Sequence, residues 1–94
     1  MRLRYTPRAR VDLASIYDYL FARAPALAQS VTAHIEERIA RLAEFPFTAK
    51  AADVPGVREL VIARHPYKVF YGISGDEISI LHIRHARRRP WHGQ

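Results

Sequence analysis

The spacing of the apolar residues changes once along the chain, and that change limits the fold to a small set. Between Pro7 and Leu42 apolar residues recur at three- and four-residue intervals, whereas between Val57 and Ile83 they form short β-branched and aromatic runs broken by turns. A helical first half followed by hairpin-linked strands predicts an α+β fold in which helices cover one face of an antiparallel sheet.

In the helical half, Leu13, Ile16, Tyr17, Leu20 and Phe21 fall at helical spacing, with Arg8, Asp12, Ser15 and Asp18 mostly on the other side. Thr6-Pro7 supplies an N-cap and a first-turn proline whose missing N–H costs nothing there. Ala24-Pro25 predicts an end near Arg23, because the residue before a proline avoids helical dihedrals. Pro25 then opens a second helix with the stripe Ala28, Val31, Ile35, Ile39 and Leu42, leaving Gln29, Glu36, Glu37, Arg38 and Arg41 to solvent. Two such helices joined by a few residues form an antiparallel hairpin, and neither can leave its apolar stripe uncovered. Phe45-Pro46 stops the second helix, and residues 47–56 read as a loop without a clear period.

Arg2-Leu3-Arg4-Tyr5 alternates, so it reads as a short strand with Leu3 and Tyr5 inward. Val57–Ala63, Tyr67–Ile73 and Glu77–Ile83 are rich in Val, Ile, Tyr and Phe, and are separated by Arg64-His65-Pro66 and Ser74-Gly75-Asp76. By strict alternation Ile78 and Ile80 point one way and Leu81 and Ile83 the other, which predicts that the last strand is central. The expected order is β-α-α-β-β-β, with the helical hairpin on a small, twisted, antiparallel-rich sheet. The first strand pairs with one of the others. A chain of 94 residues suits one domain with one core, here residues 1–94, ending in a basic tail over 86–94.

The net charge of +6 is concentrated. Residues 7–44 carry five basic and five acidic side chains and residues 45–80 carry four of each, so the excess lies in Arg2, Arg4, Arg84, Arg87, Arg88 and Arg89. A local field of one sign attracts polyanions, which points to nucleic acid, an acidic protein or a membrane surface. No apolar run of about 18 residues is present, and the N-terminus lacks a signal-like segment, so a soluble cytoplasmic protein without membrane contact is expected. The absence of cysteine removes disulfides, thiolate nucleophiles and cysteine-ligated zinc.

If the basic ends meet on the concave sheet face, His85, Arg58, Arg84 and Tyr67 form a kit for an RNA phosphodiester. His85 would be the base or acid, Arg58 and Arg84 would hold phosphoryl charge, and Tyr67 would position substrate. Arg87, Arg88, Arg89, Arg2, Arg4 and Lys50 would supply binding charge. Plainer roles compete for the same residues. His82, placed beside Ile80 by alternation, suits a hydrogen-bonded structural histidine; Arg58 beside Glu59 suits a surface ion pair; Tyr67 and Tyr71 suit core aromatics. His65, His82, His85 and His92 lack the helical H-x-x-x-H spacing and the carboxylates of a metal site, so no metal or cofactor is expected.

Tyr5-Thr6-Pro7-Arg8-Ala9, Asp12-Leu13 with Ile16-Tyr17-Asp18-Tyr19-Leu20, Arg41-Leu42-Ala43-Glu44-Phe45-Pro46, Pro55-Gly56-Val57-Arg58-Glu59-Leu60, Pro66-Tyr67-Lys68-Val69-Phe70-Tyr71, and Ile78 through His85 with Arg88 occur in an order that resembles the RelE/ParE toxin superfamily of type II toxin–antitoxin systems. The resemblance runs through essentially the whole chain. It implies the β-α-α-β-β-β fold, growth inhibition, and a cognate acidic antitoxin that wraps the toxin in a hetero-oligomer. ParE-like toxins inhibit DNA gyrase without chemistry of their own, and RelE-like toxins cut mRNA in the ribosomal A site. The helical hairpin and the Pro66-Tyr67-x-Val69-x-Tyr71 strand resemble the ParE branch more closely. His85, Arg58, Arg84 and Tyr67 would be catalytic under the RelE alternative. A non-toxic basic binding module is a third reading. Phe47-Thr48-Ala49-Lys50-Ala51 departs from the family's frequent glycine after the helix-ending proline.

Overall fold

A computed structural model describes residues 1–87 and Gly93. The chain runs β1 (Arg2–Tyr5), α1 (Pro7–Phe21), α2 (Pro25–Arg41), β2 (Lys50–Ala51), β3 (Val57–Val61), β4 (Tyr67–Ser74) and β5 (Glu77–His85). The expected α+β architecture is present, with two helices on one mixed sheet. Lys50–Ala51, expected in a loop, adds a two-residue strand at the sheet edge beside β3.

Thr6 ties α1 to the sheet. Its hydroxyl oxygen accepts from the Ala9 N–H at 3.2 Å, the capping bond expected before Pro7, and its O–H donates to the Ile80 carbonyl at 2.7 Å. The helix closes at Phe21, two residues before the expected end, and the Arg23 and Ala24 N–H groups both return to the Leu20 carbonyl. Pro25 opens α2 as expected. Its stripe Val31, Ile35 and Ile39, with Leu42 just past the last turn, joins Leu60, Val69, Tyr71, Ile78, Ile80 and Ile83 in one contiguous core.

The sheet order is β1-β5-β4-β3-β2; β1 is parallel to β5 and the other neighbours are antiparallel. The last strand is therefore not the middle one. β4 is, and β5 lies between it and the short edge strand β1. β5 is an interior strand, as expected, but the apolar residues on both of its phases have another cause. Phe70 pairs with His82 and Tyr71 with Ile80, so Leu81 has no partner and forms a bulge. The extra residue shifts the phase. Ile83 returns to the helix-facing side with Ile78 and Ile80, and His82 turns to the opposite face beside Phe70. Among the described residues no helix is long and apolar enough to cross a membrane.

Candidate functional site

Directly paired residues share a face of a sheet, so the register sorts the functional candidates into groups. On the helix-facing side Tyr67 is opposite His85, and Arg58 is opposite Tyr71. On the other side Phe70 is opposite His82, Lys68 is opposite Arg84, and Glu59 is flanked by Phe70 and Lys50.

Tyr67 and His85 do come together, ring edge to ring face, with centroids 5.6 Å apart. The His85 Nδ1 accepts from the Arg87 N–H at 3.1 Å. Arg84 turns the other way. Its guanidinium stands 5.5 Å from the Phe70 ring centroid and Nη1 donates to the His85 carbonyl at 2.8 Å. Arg58 is on the Tyr67 side but far along the sheet, where its Nη1 donates to the Ala49 carbonyl at 2.7 Å and its guanidinium covers the Phe47 ring at 5.0 Å. His85, Arg84 and Arg58 thus have three separate settings rather than one concave site.

Nor do Arg2 and Arg4 meet Arg84. Arg2 and Arg4 bind the turn between β4 and β5: Arg2 reaches Asp76 at 3.1 Å, and Arg4 reaches Glu77 at 3.3 Å and the Ser79 hydroxyl at 3.1 Å. Arg4 pairs with Ser79, and Arg84 lies five residues further along β5, about 15 Å at strand rise. The parallel pairing of β1 with the start of β5 causes this separation, because it sets Arg2 and Arg4 at one end of that strand and leaves Arg84 at the other. Arg87 is exposed in the turn after β5, and Arg88, Arg89 and His92 lie outside the described residues. Lys50 shares Glu59 with Lys68, each ammonium 3.3 Å from a carboxylate oxygen. Glu59 is therefore engaged on the face opposite Arg58, and the two adjacent residues are not an ion pair.

Asp12 is the functional group that sequence spacing missed. It sits on α1 where β1 has ended, and one carboxylate oxygen takes both the His82 Nδ1 at 2.6 Å and the Ile83 N–H at 3.0 Å. The carboxylate does for β5 what another strand would do, and it orients a buried ring that stacks on Phe70 at 6.0 Å. Helical periodicity had put Asp12 on the solvent side, and no local signal relates it to a partner 70 residues away.

Two phenols are held in their neutral form. Burial, followed by the charge of Glu36, pushes the Tyr5 hydroxyl up to about 12 against the pull of Arg10. Burial also raises Tyr71, with Arg58 opposing, and the Tyr71 O–H donates to the Pro46 carbonyl at 2.7 Å. Among the described residues no cluster of three or more His, Asp or Glu is placed to hold a metal ion.

Residues 3–90 match the family described as the ParE toxin of the type II toxin–antitoxin system parDE. The chain belongs to the ParE toxin family. This ParE-family chain is 36% identical over 88 residues to Y4kP of Sinorhizobium fredii, which is named for a toxin; the match spans 94% of this chain and 91% of that one. It is 34% identical over 84 residues to Toxin RelE2 of Caulobacter vibrioides, spanning 89% and 93% of the two chains. A structure from the chromosomal ParDE TA system of P. aeruginosa superposes with a TM-score of 0.85 at 31% identity, covering 93% of this chain and 97% of that one. The RelBE2 toxin–antitoxin complex of Mycobacterium tuberculosis shares the fold, with a TM-score of 0.59 at 21% identity, over 89% and 88% of the two chains. The protein is a toxin of the type II toxin–antitoxin class, within the ParE/RelE family.

Proposed function

We propose that this toxin arrests growth as a ParE-like inhibitor of DNA gyrase and is held inactive by an acidic antitoxin. The observation that carries the reading is the dispersal of the RNA-cleavage kit. Metal-independent cleavage needs a base, an acid and cations around one phosphate, whereas Arg58, Arg84 and the Tyr67–His85 pair occupy separate places on two faces. The helical hairpin offers a protein target a different kind of surface. Val11, Tyr19, Phe21 and Leu27 are all exposed on it, Tyr17 stacks on Phe21 at 5.8 Å, and Arg23 lies 3.6 Å over the Tyr19 ring. Aromatic residues and arginines are the side chains that most often carry binding energy at protein interfaces.

The antitoxin reading rests on the net charge of +6 together with relatives whose names place them in toxin–antitoxin pairs. Purified protein is expected to block supercoiling by gyrase and to raise the level of cleaved complexes; gyrase unaffected at high excess rejects the reading. The contact between Tyr67 and His85 favours a second reading, ribosome-dependent mRNA cleavage. That reading requires cuts in a translating message that vanish in His85→Ala and Arg58→Ala.

A further inference from the structure

Beyond the hairpin, the connection from α2 to β3 lines an open groove with a cavity volume of about 380 Å³, within the size range of small-ligand sites. Phe47, Val54, Pro55, Val57 and Ile73 form apolar walls, and among the described lining residues Arg58 is the charged one. We propose that this cavity docks an acidic peptide segment of a protein partner, receiving one branched aliphatic side chain against the walls and an adjacent carboxylate on Arg58. The proposal deepens the antitoxin reading above, on which its choice of partner rests.

Arg58 is the reason for a carboxylate. Its Nη1 is fixed by the Ala49 carbonyl at 2.7 Å and the Phe47 carbonyl at 3.5 Å, so the guanidinium is aimed before any partner arrives. The side chain is partly buried, yet no described carboxylate lies within ion-pair distance of it. Its sequence neighbour Glu59 is held on the opposite face by Lys50 and Lys68. A cation partly withdrawn from water without a counter-ion is costly, and a carboxylate brought to it forms a charge-assisted bond stronger than one in open solvent.

The walls are the reason for a peptide rather than a nucleic acid. Phosphate recognition gathers several cations, and among the described lining residues Arg58 is the one cation, set among aliphatic side chains; the nearby aromatic ring, Phe47, is already covered by the guanidinium. An aliphatic side chain next to an acidic one matches both halves of the lining. Gly93 approaches Val54 closely, since a Cβ added there would meet Val54 Cγ1 at 3.3 Å, so Gly93 is a neighbour that a bound peptide would have to accommodate.

The test is an amide-resolved NMR titration of the full chain with acetyl-Glu-Leu-amide, and with acetyl-Gln-Leu-amide as the uncharged control. Saturable shifts at residues 54–58 and Ile73 are expected with the acidic peptide, at least tenfold weaker with the control. The same loss is expected in Arg58→Gln, and in Val54→Asp, which opposes the carboxylate while leaving the Arg58 hydrogen bonds intact. Absence of saturable shifts, equal response to both peptides, an unaffected Val54→Asp, or the same shifts produced by inorganic phosphate alone would overturn the proposal. Whether an antitoxin rescues growth is read separately, so failure of the cavity and failure of the antitoxin reading give different results.

Discussion

Asp12 and His82, 70 residues apart, meet at 2.6 Å across the seam between α1 and β5, with side-chain exposures of 17% and 8%. Because the same oxygen takes the Ile83 N–H, removing it strands two donors in a nearly closed site. Asp12→Ala is expected to cost about 2–4 kcal/mol of unfolding free energy, since each unsatisfied buried group costs about 1–3 kcal/mol. Asp12→Asn keeps an acceptor oxygen and should cost less. Urea denaturation followed by circular dichroism measures both, and an Asp12→Ala variant within about 0.5 kcal/mol of wild type contradicts the assignment.

The bulge at Leu81 makes its own prediction. Ile80 and Ile83 both face the core and are 0% and 2% exposed, so Ile80→Ala and Ile83→Ala should each cost about 2–5 kcal/mol. Leu81→Ala, on the partly exposed residue between them, should cost clearly less. Strict alternation predicts instead that Leu81 and Ile83 respond alike, so the ranking of the three midpoints decides between the two geometries.

How far the fold could be read from sequence follows from the range of the signals. The N-cap at Thr6, the opening of α2 at Pro25 and the three long strands are written in neighbouring residues, and they appear where local chemistry puts them. The pairing of β1 with β5, the bulge and the Asp12 bond each depend on chain segments brought together only by folding. Losing the bulge has a second consequence. It puts His82 on the Ile80 face and gives β5 two apolar faces; the gathering of the arginines, Tyr67 and His85 on one surface rests on which strand ends meet, and no local signal supplies that register.

Alkaline pH should expose the buried phenols. Tyr5 in the unfolded chain loses its proton near the ordinary value of 10.0, whereas the folded chain holds it to about 12. The folded state therefore binds the extra proton in that interval. Its stabilising effect is complete below pH 10 and is lost as the pH rises toward 12. Tyr71 is shifted in the same direction. Guanidinium midpoints at pH 8 and pH 11 should differ less in Tyr5→Phe than in wild type, and an equal difference in the two proteins removes Tyr5 from the account.

Arg2 and Arg4 hold the exposed Asp76 and the partly exposed Glu77 at the end of the sheet away from Arg84, so they should contribute little to stability or toxicity. Exposed pairs of this kind are worth up to about 1 kcal/mol. The double variant Arg2→Ala with Arg4→Ala is expected to melt within a few degrees of wild type and to arrest growth as strongly. Loss of arrest in a folded double variant would place the N-terminal arginines at the target.

The role of His85 separates the two readings of the toxin most directly. Growth after induction of His85→Ala, with folding verified by circular dichroism, should be arrested as fully as with the unaltered toxin, because a gyrase inhibitor does not use this imidazole for chemistry. Restored growth from a folded, normally expressed His85→Ala protein contradicts that account and transfers the function to the Tyr67–His85 pair.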